Sequence, residues 1–462
     1  MFGLTGCAIR AQLSAAQNCD GLFFSERLSP QSVRCACEKL QHEFRERIFS
    51  PAITLWVFLT QVLSADHSCR EAVAKLNFWR LTRGLKPCSP DAGSYCEARQ
   101  RLPEPLFVEL VRSTGKDLSE KGDAAWQWLG REVKVVDGTT ITMADTRENQ
   151  EVYPQARTQA PGVGFPIARI VVVFSLAVGV AIDAMIGPYR GKRTGENNLF
   201  RSLLGCFLPG EIALADSYYA SFWDFAMLLE RQVDLVARTH HKRKVDFRSG
   251  LKLGRYDQVV RYFKPTQQPA WLDRATYERL PDSIQVRHLR YSVEQSGFRT
   301  RVITLATTLL DANLYSADEL ANLYRRRWQA ELNLRSLKTH LQMEHLRAKK
   351  PDTVRKEFYT HLLAYNLIRG TILEAAVAAG VAPYQLSFKG ALQSLGAFLG
   401  IVIADAHNAR RHYAALLWMI ATHRVADRPD RIEPRLLKRR PKPHKLLQEP
   451  RAAARTRLRI NN

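Results

Sequence analysis

The sequence lacks the long apolar run and the leader that membrane and secreted proteins carry. Its most apolar stretch, Ile170–Ile182, has 13 residues without a charge, whereas a helix needs roughly 20 apolar residues to span a bilayer. The first residues show no basic, apolar and small-residue succession, so no signal peptide is expected. These absences predict a cytoplasmic protein that spans no membrane.

Paired metal-binding cysteines are also lacking. Seven of the eight cysteines precede residue 97, and the close pair Cys35 and Cys37 has no second pair at zinc-ribbon spacing. We therefore expect reduced thiols rather than a disulfide framework or a zinc site.

Acidic residues are few beside basic ones. The chain has 68 Lys and Arg against 45 Asp and Glu, a net charge of +23 over 462 residues. Such a surplus indicates a polyanionic partner, either nucleic acid or an anionic membrane. From Arg428 onward, 12 basic residues stand against three acidic ones. This tail is predicted to be disordered until it contacts a phosphate backbone; a merely solubilising tail is the alternative.

One uninterrupted helix is predicted over Ser316–Leu341. Ser316 and Glu319 form a capping-box pattern, and neither Gly nor Pro follows within the stretch. On a helical wheel one narrow stripe carries Tyr324, Arg327, Glu331 and Lys338. Leucines are expected to pack one flank of this stripe, and Trp328 with Leu332 the other. A charged stripe between apolar flanks indicates the wall of a cleft, although a solvated salt-bridge face has the same spacing.

The pattern Tyr324-x2-Arg327-x3-Glu331-x6-Lys338 resembles the Y-R-E-K signature of the insertion-sequence-four family of bacterial DDE transposases. In that family the glutamate is the third metal-binding carboxylate of a ribonuclease-H-like core, so the resemblance implies two aspartates upstream at strand ends. Asp137 interrupts the apolar strand EVKVVDGTTITM, and Asp216 ends a strand that begins at Glu211.

Two features leave the aspartates open to other interpretations. The Asp137-Gly138 pair is also typical of a hairpin turn. The family usually has a small residue two places after its second aspartate, where this chain has Tyr218.

The predicted fold class is mixed α/β, with a ribonuclease-H-like core whose elements follow the order strand, strand, strand, helix, strand, helix, strand, helix. Six segments are predicted: a helical DNA-binding domain (1–125), the first part of the core (126–239), a β-rich insertion (240–300), the second part of the core with the catalytic helix (301–345), a helical C-terminal region (346–425) and the basic tail (426–462).

The resemblance implies a transposase that binds terminal inverted repeats, cuts the DNA and joins the freed 3′-OH to target DNA. Asp137, Asp216 and Glu331 would hold two Mg²⁺ ions, for which Mn²⁺ can substitute. Arg327 and Lys338 would position phosphates, and Tyr324 would orient or stack on the DNA. The expected partners are double-stranded DNA and a second copy of the chain in a synaptic dimer near the nucleoid.

Trp271 is a further candidate for a DNA contact. It is the only tryptophan between His240 and Thr300, and in relatives that form hairpins an aromatic residue of the insertion stacks on a flipped base. A core position within the insertion is the alternative for Trp271.

Two other functions remain open. A non-catalytic DNA-binding regulator, or a domesticated relative, would need only the basic surface, and retention of all three carboxylates argues against it. A structure-specific nuclease on the same core would cleave DNA without joining strands.

Overall fold

The computed structural model describes residues 28–44, 47–192, 194–240, 242–293, 302–404, 408–425 and 447–460. Its helices are α1 (Pro30–Lys39), α2 (Pro51–Leu63), α3 (Cys69–Leu81), α4 (Gly93–Arg101), α5 (Glu104–Glu120), α6 (Arg147–Val152), α7 (Glu196–Arg201), α8 (Phe222–Glu230), α9 (Arg274–Arg279), α10 (Ala317–Arg326), α11 (Trp328–Arg335), α12 (Pro351–Ala379), α13 (Phe388–Ala404), α14 (Ala409–Thr422) and α15 (Arg451–Ile460). Its strands are β1 (Val133–Met143), β2 (Ile167–Ser175), β3 (Ala181–Pro188), β4 (Ile212–Ala215), β5 (Asp234–Arg238), β6 (Leu251–Gly254), β7 (Asp257–Phe263), β8 (Ser283–Ser292), β9 (Val302–Thr307) and β10 (His345–Leu346).

The element order confirms the predicted mixed α/β class and its ribonuclease-H-like core. Strands β1, β2 and β3 are followed by α7, β4, α8 and β5, and α10 comes after the insertion. The segment between β1 and β2 contains the short helix α6, which the predicted element order does not include. Thr146 caps this helix by accepting a hydrogen bond from the N–H of Asn149 at 3.2 Å.

The chain divides into two compact units, which we call the helical unit (1–130, 172–184 and 329–425) and the sheet unit (131–171, 185–328 and 426–462). The strands follow the hydrogen-bonded order β3-β2-β1-β4-β5-β9-β8-β7-β6. Within the sheet unit, β1, β4 and β5 run parallel. A buried ion pair at 2.6 Å joins Lys134 of β1 to Glu211, the residue before β4, and this pair supports the register of the two strands.

The insertion is β-rich, as predicted, and it extends the core sheet. Strand β9 returns beside β5 and pairs with it antiparallel; β8, β7 and β6 continue outward from β9. Residues 294–300 of the predicted insertion lie outside the described residues. Because β9 has hydrogen-bonded neighbours on both sides, core and insertion form one continuous sheet.

Helix α12 is central to the helical unit. Pro351 occupies its first turn, and Gly380 ends it in the left-handed conformation (φ 63°), which glycine adopts without strain. The helix packs on α2 and α5 from the N-terminal part of the chain and on α13 and α14 from the C-terminal part. Residues of the predicted N-terminal domain (1–125) and of the predicted C-terminal region (346–425) thus belong to one compact unit. A helix that is apolar on nearly all sides must be covered from several directions, and both regions supply the cover.

Within the described ranges, α12 is the helix long and apolar enough to cross a membrane by length and composition, and 78% of the relevant window is buried in the protein.

The tail also differs from the prediction. Residues 451–460 form α15, whereas the whole of 426–462 was predicted to be disordered; 426–446 lie outside the described residues.

Candidate active site

Asp137 and Asp216 lie side by side on neighbouring parallel strands of the sheet unit. Strands β1 and β4 pair in a register that puts Val135 level with Leu214. Continued by two residues along each chain, this register makes Asp137 and Asp216 neighbours, and adjacent strand backbones lie about 4.8 Å apart. Side chains two positions apart point to the same face of a sheet. The two carboxylates therefore share one face.

The position of Asp137 differs from the prediction in one respect. Asp216 directly follows the last residue of β4, as expected, but Asp137 lies inside β1, which continues without a break to Met143. Its Oδ1 accepts a hydrogen bond from the N–H of Gly138 at 3.0 Å. Because β1 continues through Asp137 and Gly138, the Asp-Gly pair forms no hairpin turn.

Asp216 caps a short 3-10 turn, Ser217–Tyr219. Its Oδ1 accepts a hydrogen bond from the N–H of Tyr218 at 2.7 Å. The Tyr218 side chain, at the place where a small residue was expected, is 51% exposed, whereas Tyr219 is fully buried. The bulky residue therefore points away from the core and leaves the strand end intact.

A third carboxylate in the sheet unit was not identified from the sequence. Glu196, the first residue of α7, accepts a hydrogen bond from the Tyr219 hydroxyl at 2.6 Å. Burial raises the pKa of Glu196, and the charge of Asp216 raises it further. A glutamate in the first turn of a helix is common, so only the folded structure distinguishes this one.

The helix predicted over Ser316–Leu341 begins as expected but is not continuous. Ser316 and Glu319 form both hydrogen bonds of the capping box. The helix is interrupted at Arg327, whose N–H bonds to the carbonyl of Tyr324 three residues back, and it ends in a π-helical turn, Ser336–His340. Trp328, expected to pack a flank, is 50% exposed. Such irregular turns occur often at functional sites.

Tyr324 and Arg327 belong to the same unit as the two aspartates. Tyr324 is 7% exposed, and the Arg327 guanidinium lies 6.0 Å from its ring centre. Burial chiefly raises the pKa of Tyr324; Arg327 lowers it, and Asp216 raises it. Tyr324 is thus within electrostatic reach of Asp216, and its hydroxyl remains protonated at neutral pH.

Glu331 and Lys338 belong to the helical unit. Glu331 is half-buried on α11, and Lys338 lies in the π-helical turn with its Nζ 3.9 Å from a carboxylate oxygen of Glu344. The family spacing from Tyr324 to Lys338 therefore extends across two helices and a turn rather than along one helix.

Trp271 is half-buried against the core of the sheet unit. The guanidinium carbon of Arg201 lies 3.7 Å from the centre of its ring, and the Trp223 ring meets it at 89° with centroids 6.2 Å apart. Arg201 is itself fixed by Asp224, a fully buried carboxylate 2.9 Å away. These contacts favour the core interpretation of Trp271.

A basic pocket of about 630 Å³ opens beside Asp216 in the sheet unit. It is lined by Asn197, Ser217, Tyr218, Ala220, Ser221, His240, Lys242 and Arg243. Cationic and hydroxyl groups of this kind contact the phosphates of nucleic acids.

Carboxylates are the hard oxygen ligands that Mg²⁺ and Mn²⁺ prefer, and two level aspartates supply them from adjacent strands. In the part of the chain that the structure describes, no group of three or more His, Cys, Asp or Glu side chains is close enough to hold a metal ion. The two aspartates are of the ligand type that a divalent cation prefers. A complete metal site would need ligands in addition to these two.

Comparisons with known proteins identify the family of the chain. The family model of the transposase DDE domain matches residues 128–367, just over half of the chain. The chain is 25% identical to the transposase InsG of insertion sequence element IS4 from Escherichia coli (strain K12), over 90% of this chain and 91% of that protein. It is 42% identical to the putative transposase InsL of element IS186A from the same strain, over 14% of this chain and 17% of that protein.

Among solved structures, the chain is similar to the piggyBac transposase in a cryo-EM synaptic complex with hairpin DNA. The identity is 12%, the TM-score is 0.41, and the match covers 88% of this chain and 85% of that one. At this TM-score the likeness carries no weight in the assignment, which rests on the family match and on the similarity to InsG. DDE transposases generally use divalent metal ions for DNA cleavage and strand transfer. The chain belongs to this family, as an insertion-sequence DNA transposase of the IS4 group.

Proposed function

We propose that this transposase binds the terminal inverted repeats of its own element, cuts the DNA there and joins the freed 3′-OH to target DNA by a cut-and-paste route. The observation that carries the proposal is the parallel pairing of β1 and β4, whose register, continued by two residues, brings Asp137 and Asp216 level. A basic pocket beside Asp216 supports it, because DNA held there would bring its phosphates near the two carboxylates.

Asp137, Asp216 and Glu331 are the residues that would hold the metal. Two Mg²⁺ ions, replaceable by Mn²⁺, would activate the attacking oxygen and stabilise the leaving one. The family spacing from Tyr324 to Glu331 supports the third ligand. Since the aspartates already share one face, the protein's contribution is to fix the carboxylates before the DNA arrives.

The DNA contacts follow from charge and position. Arg327 lies beside Tyr324, in the same unit as the two aspartates, so it would bind phosphate oxygens near the metal site. Lys338, at the family spacing, would bind a phosphate oxygen as well. Tyr324 would orient the strand through its protonated hydroxyl. Trp271 would contribute to DNA binding only through its exposed part, since Arg201 covers its ring.

The proposed partners are the double-stranded DNA of the element ends and of the target, and a second copy of the chain in the synaptic complex. The N-terminal helices would dock on the repeats, and the basic tail would add phosphate contacts. The proposed location is the cytoplasm, at the nucleoid, because the substrate is chromosomal DNA.

The test uses purified protein, the genomic DNA that flanks its coding sequence, and Mg²⁺, with the products sequenced. Asp137→Asn, Asp216→Asn and Glu331→Gln each remove one ligand charge at constant volume, so each should abolish cleavage while end binding persists. Glu148→Gln, an exposed glutamate of α6, is the matched control and should cleave normally.

Near-normal cleavage by any of the three variants would remove that residue from the metal set. Cleavage without strand joining by the wild-type protein would indicate a nuclease instead of a cut-and-paste transposase.

A further inference from the structure

Glu196 touches the segments that carry both aspartates, and neither the family pattern nor the proposed metal set includes it. On one side its Oε1 accepts the hydrogen bond from the Tyr219 hydroxyl, 2.6 Å away. Tyr219 lies three residues after Asp216 and is fully buried; its ring packs on Phe200 of α7 with centroids 5.0 Å apart. The tyrosine therefore has little freedom, and its hydroxyl fixes the position of the glutamate.

On the other side the Glu196 side chain lies against the backbone at Gly138, the residue after Asp137. A Cβ placed on Gly138 would come within 2.5 Å of Glu196 Cδ and 2.9 Å of its Cγ. Only glycine permits this approach, because any larger residue would displace the carboxylate. Glu196 therefore fills the space between β1 and the turn that follows β4.

The hydrogen bond from Tyr219 is a directed one. Burial raises the pKa of Tyr219 well above its ordinary value, and the carboxylate of Glu196 raises it further. The hydroxyl is the donor of this bond, because an ionised carboxylate only accepts hydrogen bonds. A hydrogen bond to a charged or partly charged acceptor in a buried place is among the stronger ones.

We propose that Glu196 is a positioning residue of the active site: it sets the separation of Asp137 and Asp216 by bracing Gly138 against Tyr219. The inference rests on the proposed function, in which the two aspartates hold the metal. Glu196 need not touch a metal ion or the DNA for this role. It acts through the hydrogen-bond acceptor and the volume of its side chain.

This role makes the chemical nature of a substitution decisive. Glu196→Ala removes both the acceptor and the volume, and Tyr219→Phe removes only the donor while it keeps the ring packing. Gly138→Ala keeps the Glu196 and Tyr219 side chains, but its added Cβ would displace the Glu196 carboxylate. Glu196→Gln keeps the volume and an oxygen that can accept the tyrosine hydrogen bond.

The experiment measures Mn²⁺ binding to the full-length protein by electron paramagnetic resonance, and nicking of element ends over a Mg²⁺ titration. Loss of a supporting hydrogen bond next to metal ligands typically costs about 10–100-fold in metal affinity or activity. We expect a loss of this size for Glu196→Ala and Gly138→Ala, and a smaller loss in the same direction for Tyr219→Phe. Glu196→Gln should retain most of the Mn²⁺ affinity and most of the nicking activity.

Glu148→Ala is the matched control for the loss of an exposed glutamate, and thermal melting checks the fold of each variant. If Glu196→Ala does not fold, Tyr219→Phe carries the test, since it alters no packing. Wild-type Mn²⁺ affinity in folded Glu196→Ala or in Tyr219→Phe would overturn the proposal. Equal damage from Glu196→Gln and Glu196→Ala would also overturn it, because charge rather than bracing would then matter.

A different result would contradict the proposed function itself. If Asp137→Asn binds Mn²⁺ as well as the wild type does, the aspartates are not the metal ligands. If Asp137→Asn loses Mn²⁺ while Glu196→Ala keeps it, the metal site stands and only the role of Glu196 is wrong.

Discussion

Replacing Arg287 should destabilise the sheet unit more than replacing any exposed arginine. Arg287 on β8 is fully buried, and its Nε donates to Asp257 Oδ1 of β7 at 2.8 Å. Its Nη1 also donates to the carbonyl of Tyr315 at 2.7 Å, immediately before the capping residue Ser316. The guanidinium thus joins two insertion strands to the start of α10.

The magnitude follows from what each substitution leaves behind. Arg287→Met leaves the Asp257 carboxylate buried without its cation, which typically costs about 3–5 kcal/mol of unfolding free energy. Adding Asp257→Leu removes the orphaned charge. The carbonyl of Tyr315 still lacks its donor, so the double variant should remain about 1–3 kcal/mol less stable than the wild type.

Urea unfolding followed by circular dichroism measures these differences. Arg248→Met is the matched control, because its ion pair with Asp246 is exposed to solvent and should leave the unfolding midpoint unchanged. The reasoning is refuted if Arg287→Met and Arg248→Met shift the midpoint equally, or if the double variant is no more stable than the single one.

Three further results are expected. Burial lowers the pKa of His67 and of His361 to about 4, whereas the unfolded chain binds these protons near pH 6.5. The free energy of unfolding should therefore keep its full value above about pH 6.5 and decline towards pH 4, by about 3 kcal/mol for His361 alone. Urea titrations at several pH values should show a weaker pH dependence for His361→Gln. Trp271→Ala should lower unfolding free energy by about 1–3 kcal/mol through its contacts with Arg201 and Trp223 and should slow every DNA step; normal melting with slow second-strand cleavage alone would instead indicate base stacking. Deleting the tail from Arg428 should reduce the salt slope of DNA binding by about 0.9 for each phosphate that the tail neutralises, and an unchanged slope would make the tail a solubiliser.

The parts of the site that could be predicted from the sequence depend on short-range signals. The capping box of Ser316 and Glu319 is an example, because both of its hydrogen bonds join residues three positions apart. The strand end before Asp216 was predicted in the same way, from a short apolar run that stops at a carboxylate. A wheel of 3.6 residues per turn cannot show the break at Arg327, since one tightened turn hardly changes the apolar spacing.

The rest depends on contacts between distant residues. Glu196 meets Tyr219 across 23 positions, and nothing in the residues around Glu196 indicates that contact. The partners of α12 could not be predicted either, because an apolar helix surface fits many neighbours and its sequence specifies none of them. Trp328 differs from the prediction for a related reason: its spacing fits a packed flank, but spacing does not show whether another element covers that flank, and Trp328 is 50% exposed.

The double pairing of β9 limits how the length of this region can change in evolution. Ala306 of β9 is level with Ala237 of β5 on one side and His288 of β8 on the other. Loss of the whole insertion would strip one side of β9 of its hydrogen-bond partners and create a new sheet edge. Gain or loss of strands at the outer edge of the insertion is easier, because β6 is a four-residue edge strand whose residues are all exposed. Relatives should therefore differ in the strands beyond β8 and retain the pairing of β8 with β9.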